Sequence, residues 1–271
     1  MLAALLLTGV AANSWLRPPI SDWQPIYAGI DYWCGTTDLI SGSSNRMMAL
    51  RIHLDEVSLE ISLRPPERES LGEGGHFRLV IADRERARQG LSVLINTTIY
   101  TPQGLLTSYP GKVVSSLETV VINRRATHIH EHSYLFWLDG QRKPFFSDMK
   151  PPREDEIAAA AWGFGMQAVQ LRDGRVNPGT LDPKTPPDAL SFIGFNEEER
   201  LLYLIAHEHA SKYEMLDAAI GLGVKTGGLM DGGSATTLIL DGQAKGLRPY
   251  TGIRGTRPLG GYLGIRAKSL R

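Results

Sequence analysis

Short runs of alternating apolar and polar residues restrict this chain to a strand-rich fold. Residues 48–54 carry an apolar side chain at every second position, the period that places side chains on one face of a β-strand. Residues 57–63 repeat the pattern, and the intervening Asp55-Glu56 is typical of a turn. The sequence therefore predicts two consecutive, half-buried strands.

Further strands and three helices are predicted along the rest of the chain. Helices are expected at residues 83–89, at residues 153–162 and after Ser211, which has capping-box spacing with Glu214. No repeat, low-complexity tract or linker divides the 271 residues, a length compatible with one large domain. We predict an α+β fold, with strand-rich mixed sheets and about three helices in a single compact domain. The other predicted strands are residues 91–95, 119–122, 133–138, 167–171, 192–195, 201–206, 235–240 and 260–265.

The first residues differ in character from the rest of the chain. Residues 2–12 read LAALLLTGVAA, an apolar run shorter than the ~20 residues of a membrane-spanning helix. They resemble the apolar part of a secretory signal, with small residues where a signal peptidase would cut, although a basic leader segment is absent. The alternative is a first apolar element of the fold. We assign residues 1–20 to a signal or N-terminal segment and residues 21–271 to the domain. We expect a secreted or periplasmic protein without stable membrane insertion after signal removal.

Charge and cysteine content exclude several functional classes. The chain has 29 Lys and Arg residues against 29 Asp and Glu residues, a formal net charge of zero, which argues against nucleic-acid binding. The single cysteine, Cys34, cannot form an internal disulfide or a multi-cysteine metal site. We predict no nucleic-acid partner and no cofactor, and the composition leaves the oligomeric state open.

The clearest chemical signal is a carboxylate followed by a pair of glycines. It lies in Met230-Asp231-Gly232-Gly233-Ser234-Ala235-Thr236-Thr237-Leu238. Glycines let backbone N–H groups approach a ligand closely, and the hydroxyl side chains add donors. Such a turn can hold a sugar or phosphate oxygen while presenting one carboxylate. A plain Asp-Gly hairpin turn has the same local sequence, and the spacing alone does not decide between the two.

The order of motifs along the chain resembles the phosphodiester glycosidase family. Residues 230–238 are similar to the family signature L-D-G-G-G-S-[ST]-T-[LM], with one glycine fewer, and residues 94–100 resemble the strand that carries the family's asparagine. Residues 257–259 resemble a late strand that begins with arginine. Leu190 stands where the family motif R-T-A-I-G has its arginine. The resemblance covers residues 27–266, nearly the whole chain.

This resemblance implies hydrolysis of the glycosidic bond of a sugar-1-phosphodiester or a related envelope or exopolysaccharide glycan. Asp231 would then stabilise or attack the oxocarbenium-like sugar, and Arg257 would contact the anionic leaving group. Asn96 would hydrogen-bond sugar hydroxyls or orient Asp231. The other implied substrate-binding residues are Gly232, Gly233, Ser234 and Thr236.

A second catalytic carboxylate is not singled out by any motif. We choose Glu208 because it follows a predicted apolar strand, a place from which active-site groups often emerge, and Glu131 and Asp241 are the alternatives. An exposed acid in a loop has the same sequence context.

Two other functions remain open at this point. The leucine at position 190 favours a catalytically altered relative that binds polysaccharide during exopolysaccharide assembly. A histidine-metal hydrolase would use the two histidine clusters, but same-face residues of one strand are spaced too far apart to converge easily on one ion, and we predict no metal site. The clusters are His128, His130 and His132, and His207 and His209. Candidate sugar-stacking residues are Trp23, Trp33, Trp137 and Trp162.

Overall fold

Antiparallel sheets with a few covering helices form the regular structure of the chain. The computed structural model describes residues 22–38, 44–67, 75–101, 108–182, 184–247 and 251–270. The predicted signal segment, residues 1–20, lies outside these ranges. The helices are α1 (Ala82–Gln89), α2 (Glu154–Ala159) and α3 (Lys212–Gly221), with single turns of 3-10 helix at Pro178–Thr180 and Gly233–Ala235.

The strands follow one another in short segments. They are β1 (Gln24–Tyr27), β2 (Ile30–Asp38), β3 (Ser44–His53), β4 (Glu60–Leu63), β5 (His76–Arg78), β6 (Val93–Asn96), β7 (Tyr100–Thr101), β8 (Val113–Ser116), β9 (Val120–Ile122), β10 (Arg125–His128), β11 (Tyr134–Leu138), β12 (Pro144–Phe146), β13 (Trp162–Met166), β14 (Leu171–Arg172), β15 (Arg175–Val176), β16 (Asp188–Asn196), β17 (Leu201–Ala210), β18 (Thr226–Leu229), β19 (Leu238–Leu240), β20 (Gly252–Ile253) and β21 (Tyr262–Arg266).

These strands form four sheets. The largest has eight strands in the order β1-β2-β3-β17-β16-β18-β14-β15; the others have the orders β10-β9-β13-β11-β12, β20-β19-β6-β21-β4 and β5-β8-β7. Neighbours such as β2 and β3, or β16 and β17, pair antiparallel, because short connections join antiparallel rather than parallel strands. The α+β class and the single strand-rich domain are confirmed. Where we expected mixed sheets, all strand pairs of the described ranges are antiparallel.

The central strands of the eight-stranded sheet carry buried residues on both faces. On β3, Leu50 and Ile52 belong to a large core shared with the two five-stranded sheets, whereas Met47 and Ala49 belong to a second core. The second core includes Met215 and other apolar residues of α3. The predicted alternation is therefore present, but the strand is covered on both sides rather than half buried.

The other two helices cover the outer faces of the five-stranded sheets. Ile157 of α2 packs with Val121 and Leu135 of the β9–β13–β11 sheet. Ala82 at the start of α1 packs against the cluster that contains Leu94 of β6. All three predicted helices are present, and each closes one sheet face against solvent.

Some predicted boundaries are wrong because pairing partners decide them. Residues 162–166 form β13, which pairs with β9 and β11. The helix predicted at residues 153–162 therefore ends at Ala159. The strand predicted at residues 167–171 lies earlier in the chain, as β13. Residues 57–59 do not extend β4, and Val57 is 87% exposed. The predicted strand 235–240 is shortened to β19 by the turn of 3-10 helix before it.

Within the described ranges, no helix combines the length and apolar character needed to cross a membrane.

A glycine at the centre of the large sheet gives a test of this packing. A Cβ atom at Gly227 of β18 would lie 2.5 Å from Phe192 Cζ and 2.8 Å from the Ile193 carbonyl oxygen. We expect Gly227→Ala to lower the free energy of unfolding by about 1–3 kcal/mol, as overpacking does. Chemical denaturation measures this. Gly140→Ala is the control, because nothing lies within 4 Å of its Cβ position, and equal effects of the two variants would contradict the packing described.

Candidate active site

A cavity opens where β18 ends and the Asp-Gly-Gly-Ser segment begins. Its volume is about 510 Å³, and Asp231, Gly232, Gly233, Ser234 and Arg257 all contribute to its wall. The wall also contains residues from β13, from the start of β16 and from the loop after β6. The site is thus assembled by several sheets.

Backbone hydrogen bonds fix the position of Asp231. Its N–H donates to the Thr97 carbonyl oxygen at 3.1 Å, and the preceding Met230 N–H donates to the Ser191 carbonyl oxygen at 2.9 Å. Gly233 then adopts a φ of +60°, which favours glycine, and starts the single turn of 3-10 helix. The carboxylate is therefore held where the chain turns away from the sheet.

Asp231 and Arg257 form a buried ion pair. Arg257 Nη2 donates to Asp231 Oδ2 at 2.5 Å, and the two side chains are only 7% and 11% exposed. The Arg257 guanidinium lies over the Tyr100 ring, 4.7 Å from its centroid. Burial raises the pKa of Asp231 to about 6, while the charge and hydrogen bond of Arg257 act in the opposite direction. The Asp231 carboxyl group therefore takes up a proton at a higher pH than an exposed aspartate does.

Asn96 fastens this loop to two sheets. Its Nδ2 donates to the Asp231 carbonyl oxygen at 2.6 Å. Its Oδ1 accepts from Ser191 Oγ at 2.7 Å and from the Thr237 N–H at 2.9 Å. Asn96 is 1% exposed and does not line the cavity. The structure therefore brings Asn96 and Arg257 together at Asp231, and it places Asn96 behind the carboxylate rather than in the cavity.

The other predicted residues divide into two groups. Gly232, Gly233 and Ser234 line the cavity with Asp231. Thr236 is buried, with 1% exposure, and does not line it. Glu208 also lies outside the wall: it pairs with Arg46 at 2.7 Å and is 41% exposed. The reason is sheet pairing, since β17 lies beside β3, which carries Arg46.

Several wall residues were not predicted from the sequence. Glu118, 4% exposed, follows β8 in a segment without a recognisable motif. Lys212 begins α3 and has no ion pair among the residues that the structure describes. Thr97 directly follows Asn96, and its buried Oγ1 has no hydrogen-bond partner within the described ranges. Among these residues, only Thr97 could have been identified from the sequence, because it directly follows the motif residue Asn96. Leu190 contributes an apolar side chain to the same wall.

The two histidine clusters belong to different sheets, the first beginning at the end of β10 and the second lying on β17. His128 ends β10, and His130 and His132 lie in the turn before β11 rather than on one strand face as predicted. His207 is fully buried on β17, and burial lowers its pKa to about 4. Within the described ranges, no group of three or more His, Cys, Asp or Glu residues is arranged to hold a metal ion. The four candidate tryptophans do not line the cavity.

Residues 89–266 match the model of the phosphodiester glycosidase family, which is more than half of the chain. The chain belongs to the phosphodiester glycosidase family. A search of curated proteins finds no match. The match includes every residue of the Asn96–Asp231–Arg257 arrangement.

Solved structures support the family's fold. The catalytic domain of zebrafish N-acetylglucosamine-1-phosphodiester α-N-acetylglucosaminidase, auto-inhibited by its pro-peptide, has a TM-score of 0.63 and 13% identity, with 91% of this chain and 88% of that chain covered. A hypothetical protein from Synechocystis has a TM-score of 0.59 and 14% identity, covering 89% and 62%. A protein from Burkholderia pseudomallei described as exported has a TM-score of 0.56 and 11% identity, covering 83% and 74%. At these identities the likeness concerns the fold alone.

Removal of the Asn96 side chain tests its fastening role. Asn96→Ala leaves the Asp231 carbonyl oxygen, Ser191 Oγ and the Thr237 N–H without this partner in a buried place. We expect a loss of about 3 kcal/mol or more in the free energy of unfolding, measured by chemical denaturation, because each buried polar group left unpaired costs about 1–3 kcal/mol. The exposed Asn177→Ala is the control, expected to change stability by less than about 0.5 kcal/mol. An equally small effect at Asn96 would refute the role assigned to it.

Proposed function

We propose that this phosphodiester glycosidase hydrolyses the bond between a sugar C1 atom and the oxygen of a phosphodiester. The observation that carries the proposal is the buried Asp231–Arg257 pair in the wall of a 510 Å³ cavity. A carboxylate and a guanidinium side by side match the two charges that develop in such a reaction. The sugar ring becomes positive at C1, and the leaving phosphate carries negative charge.

Asp231 acts on the sugar in this proposal. Its carboxylate faces a partly closed, low-dielectric cavity, where a nearby negative charge stabilises an oxocarbenium-like ring more strongly than it would in water. Asn96 and Thr97 hold its backbone from behind, so that the carboxylate needs little reorganisation when the charge develops.

Arg257 acts on the leaving group. Its Nη2 is engaged by Asp231, and its buried Nε has no hydrogen-bond partner within the described ranges. A phosphate oxygen would satisfy such a donor. Lys212, in the same wall, adds a second cation for the anion. These two cations support an anionic substrate although Leu190 stands where the family motif has arginine.

The substrate class that we propose is a sugar-1-phosphodiester or a related envelope or exopolysaccharide glycan, cleaved by a secreted or periplasmic protein. The zebrafish neighbour's name specifies an N-acetylglucosamine-1-phosphodiester, so N-acetylglucosamine 1-(methyl phosphate) is a suitable first probe. A protein that binds this probe without releasing free sugar would instead be the catalytically altered polysaccharide-binding relative.

Replacement of the central carboxylate tests the proposal directly. We expect Asp231→Asn to lower kcat for release of free sugar from the probe by at least about 100-fold, because the neutral amide cannot stabilise the positive ring. In the wild type, kcat/KM falls as the pH falls through about 6, since Asp231 is protonated below its raised pKa. Asp173→Asn, an exposed turn residue outside the cavity, serves as the control. Full activity of Asp231→Asn would exclude the proposed role.

The ion pair predicts a second change in the pH profile. Arg257 lowers the pKa of Asp231 against the effect of burial, so Arg257→Gln is expected to move the acidic limb of kcat/KM to a higher pH. It should also weaken binding of the anionic probe, seen as a higher KM. Arg254→Gln, a more exposed arginine that pairs with Asp83 at 3.0 Å, is the matched control. An acidic limb at the same pH in Arg257→Gln would show that Asp231 is not the group that titrates.

A further inference from the structure

The cavity wall contains a second buried carboxyl group, Glu118. It lies between β8 and β9, and it is 4% exposed. Ser116 fixes its backbone from both sides: Ser116 Oγ donates to the Glu118 carbonyl oxygen at 2.8 Å and accepts from the Glu118 N–H at 3.1 Å. The Ser133 hydroxyl donates to Glu118 Oε2. This carboxyl group is therefore as firmly placed as Asp231.

Strand β13 packs closely against Glu118 because it has a glycine at the point of contact. Gly165 of β13 lies in the same wall, and a Cβ atom there would be 2.9 Å from Glu118 Cβ and 2.7 Å from the Thr119 nitrogen. The Gly165 N–H donates to the Thr119 carbonyl oxygen at 2.5 Å. The fold thus brings β13 against Glu118, and both contribute to the cavity wall.

The electrostatic surroundings of the two carboxyl groups differ. Asp231 has a guanidinium at 2.5 Å, whereas Glu118 forms no ion pair with any residue of the described ranges. Burial raises the pKa of Glu118 above its ordinary value, opposed by the Ser133 and Gln167 hydrogen bonds and by the charges of His130 and Lys150. The other charged groups of the wall are Asp188, Lys212, Asp231 and Arg257.

Two buried carboxyl groups line one cavity. One lies beside a guanidinium, and the other forms no ion pair with the residues that the structure describes. Such a difference separates the acid from the anion in glycoside cleavage. We propose that Glu118 is the proton donor of the site, an inference that rests on the proposed function. Asp231 is the anion that faces the positive ring, and Glu118 is the acid that serves the leaving group.

In the proposed reaction Glu118 gives up one proton and regains one, so that it begins and ends protonated. The C1–O bond breaks, and its electron pair stays on the phosphate oxygen, which takes the proton of the Glu118 carboxyl group. Water then adds to C1, and the proton that it loses returns to the Glu118 carboxylate. The sugar leaves with a hydroxyl at C1, and the enzyme regains its starting state.

The test compares Glu118→Gln with wild-type enzyme on N-acetylglucosamine 1-(methyl phosphate). We expect kcat to fall by about 100-fold, within the range of general acid catalysis, with KM changed by less than about threefold. The wild-type loss of kcat/KM as the pH rises and Glu118 loses its proton should be absent from the variant. Glu198→Gln is the matched control, because Glu198 is exposed and lies outside the cavity wall.

A second variant separates proton transfer from a structural role. In Glu118→Ala, added formate is expected to restore part of kcat by occupying the vacated space as a small acid, and thermal denaturation reports the folded fraction. Loss of activity with an unchanged pH profile and no formate effect would overturn the inference, as would wild-type kcat in Glu118→Gln. Either result would leave the proposed function intact, whereas a wild-type protein that releases no sugar from the probe would refute both.

Discussion

The buried ion pair of Asp231 and Arg257 is the interaction on which the site depends. A carboxylate that is 11% exposed would be strongly disfavoured without a partner, and the guanidinium at 2.5 Å supplies one. The pair also remains responsive, because burial and the guanidinium act on the Asp231 pKa in opposite directions and leave it at about 6. Removal of either partner leaves an uncompensated buried charge.

Hydrogen bonds between two sheets hold the segment that carries Asp231 in position. Asn96 ends β6 in a five-stranded sheet, whereas Ser191 belongs to β16 in the eight-stranded sheet and Asp231 follows β18. The hydrogen bonds of Asn96 therefore connect two sheets at the base of the cavity. Residues of both sheets belong to one buried apolar cluster. This shared core fixes the position of one sheet relative to the other. A family asparagine thus has a structural explanation that does not require contact with substrate.

The opposite wall of the cavity has a different character. Glu118 lies in the loop that leads to β9, against a glycine of β13, and the Ser133 hydroxyl donates a hydrogen bond to its carboxyl group. The cavity wall consequently contains one buried carboxyl group that forms an ion pair and another that forms none within the described ranges. Such a difference in surroundings is how proteins give two chemically similar groups different protonation behaviour.

Local sequence determined the type and order of most helices and strands, whereas tertiary structure decided several of their boundaries and which residues share a site. The capping box at Ser211 and Glu214, the alternation along β3 and the Asp-Gly-Gly-Ser segment each depend on neighbours in the chain, and all are present as predicted. Asp231, Asn96 and Arg257 could be named because they belong to motifs. Glu208 was chosen from its position after a predicted strand and Glu118 was not considered, because the surroundings of a side chain depend on which strand lies beside it. The pairing of β17 with β3 places Glu208 against Arg46, and the approach of β13 places Glu118 in the cavity wall. Those pairings join residues far apart in sequence, so their outcome is decided by the packing of whole sheets rather than by any local pattern.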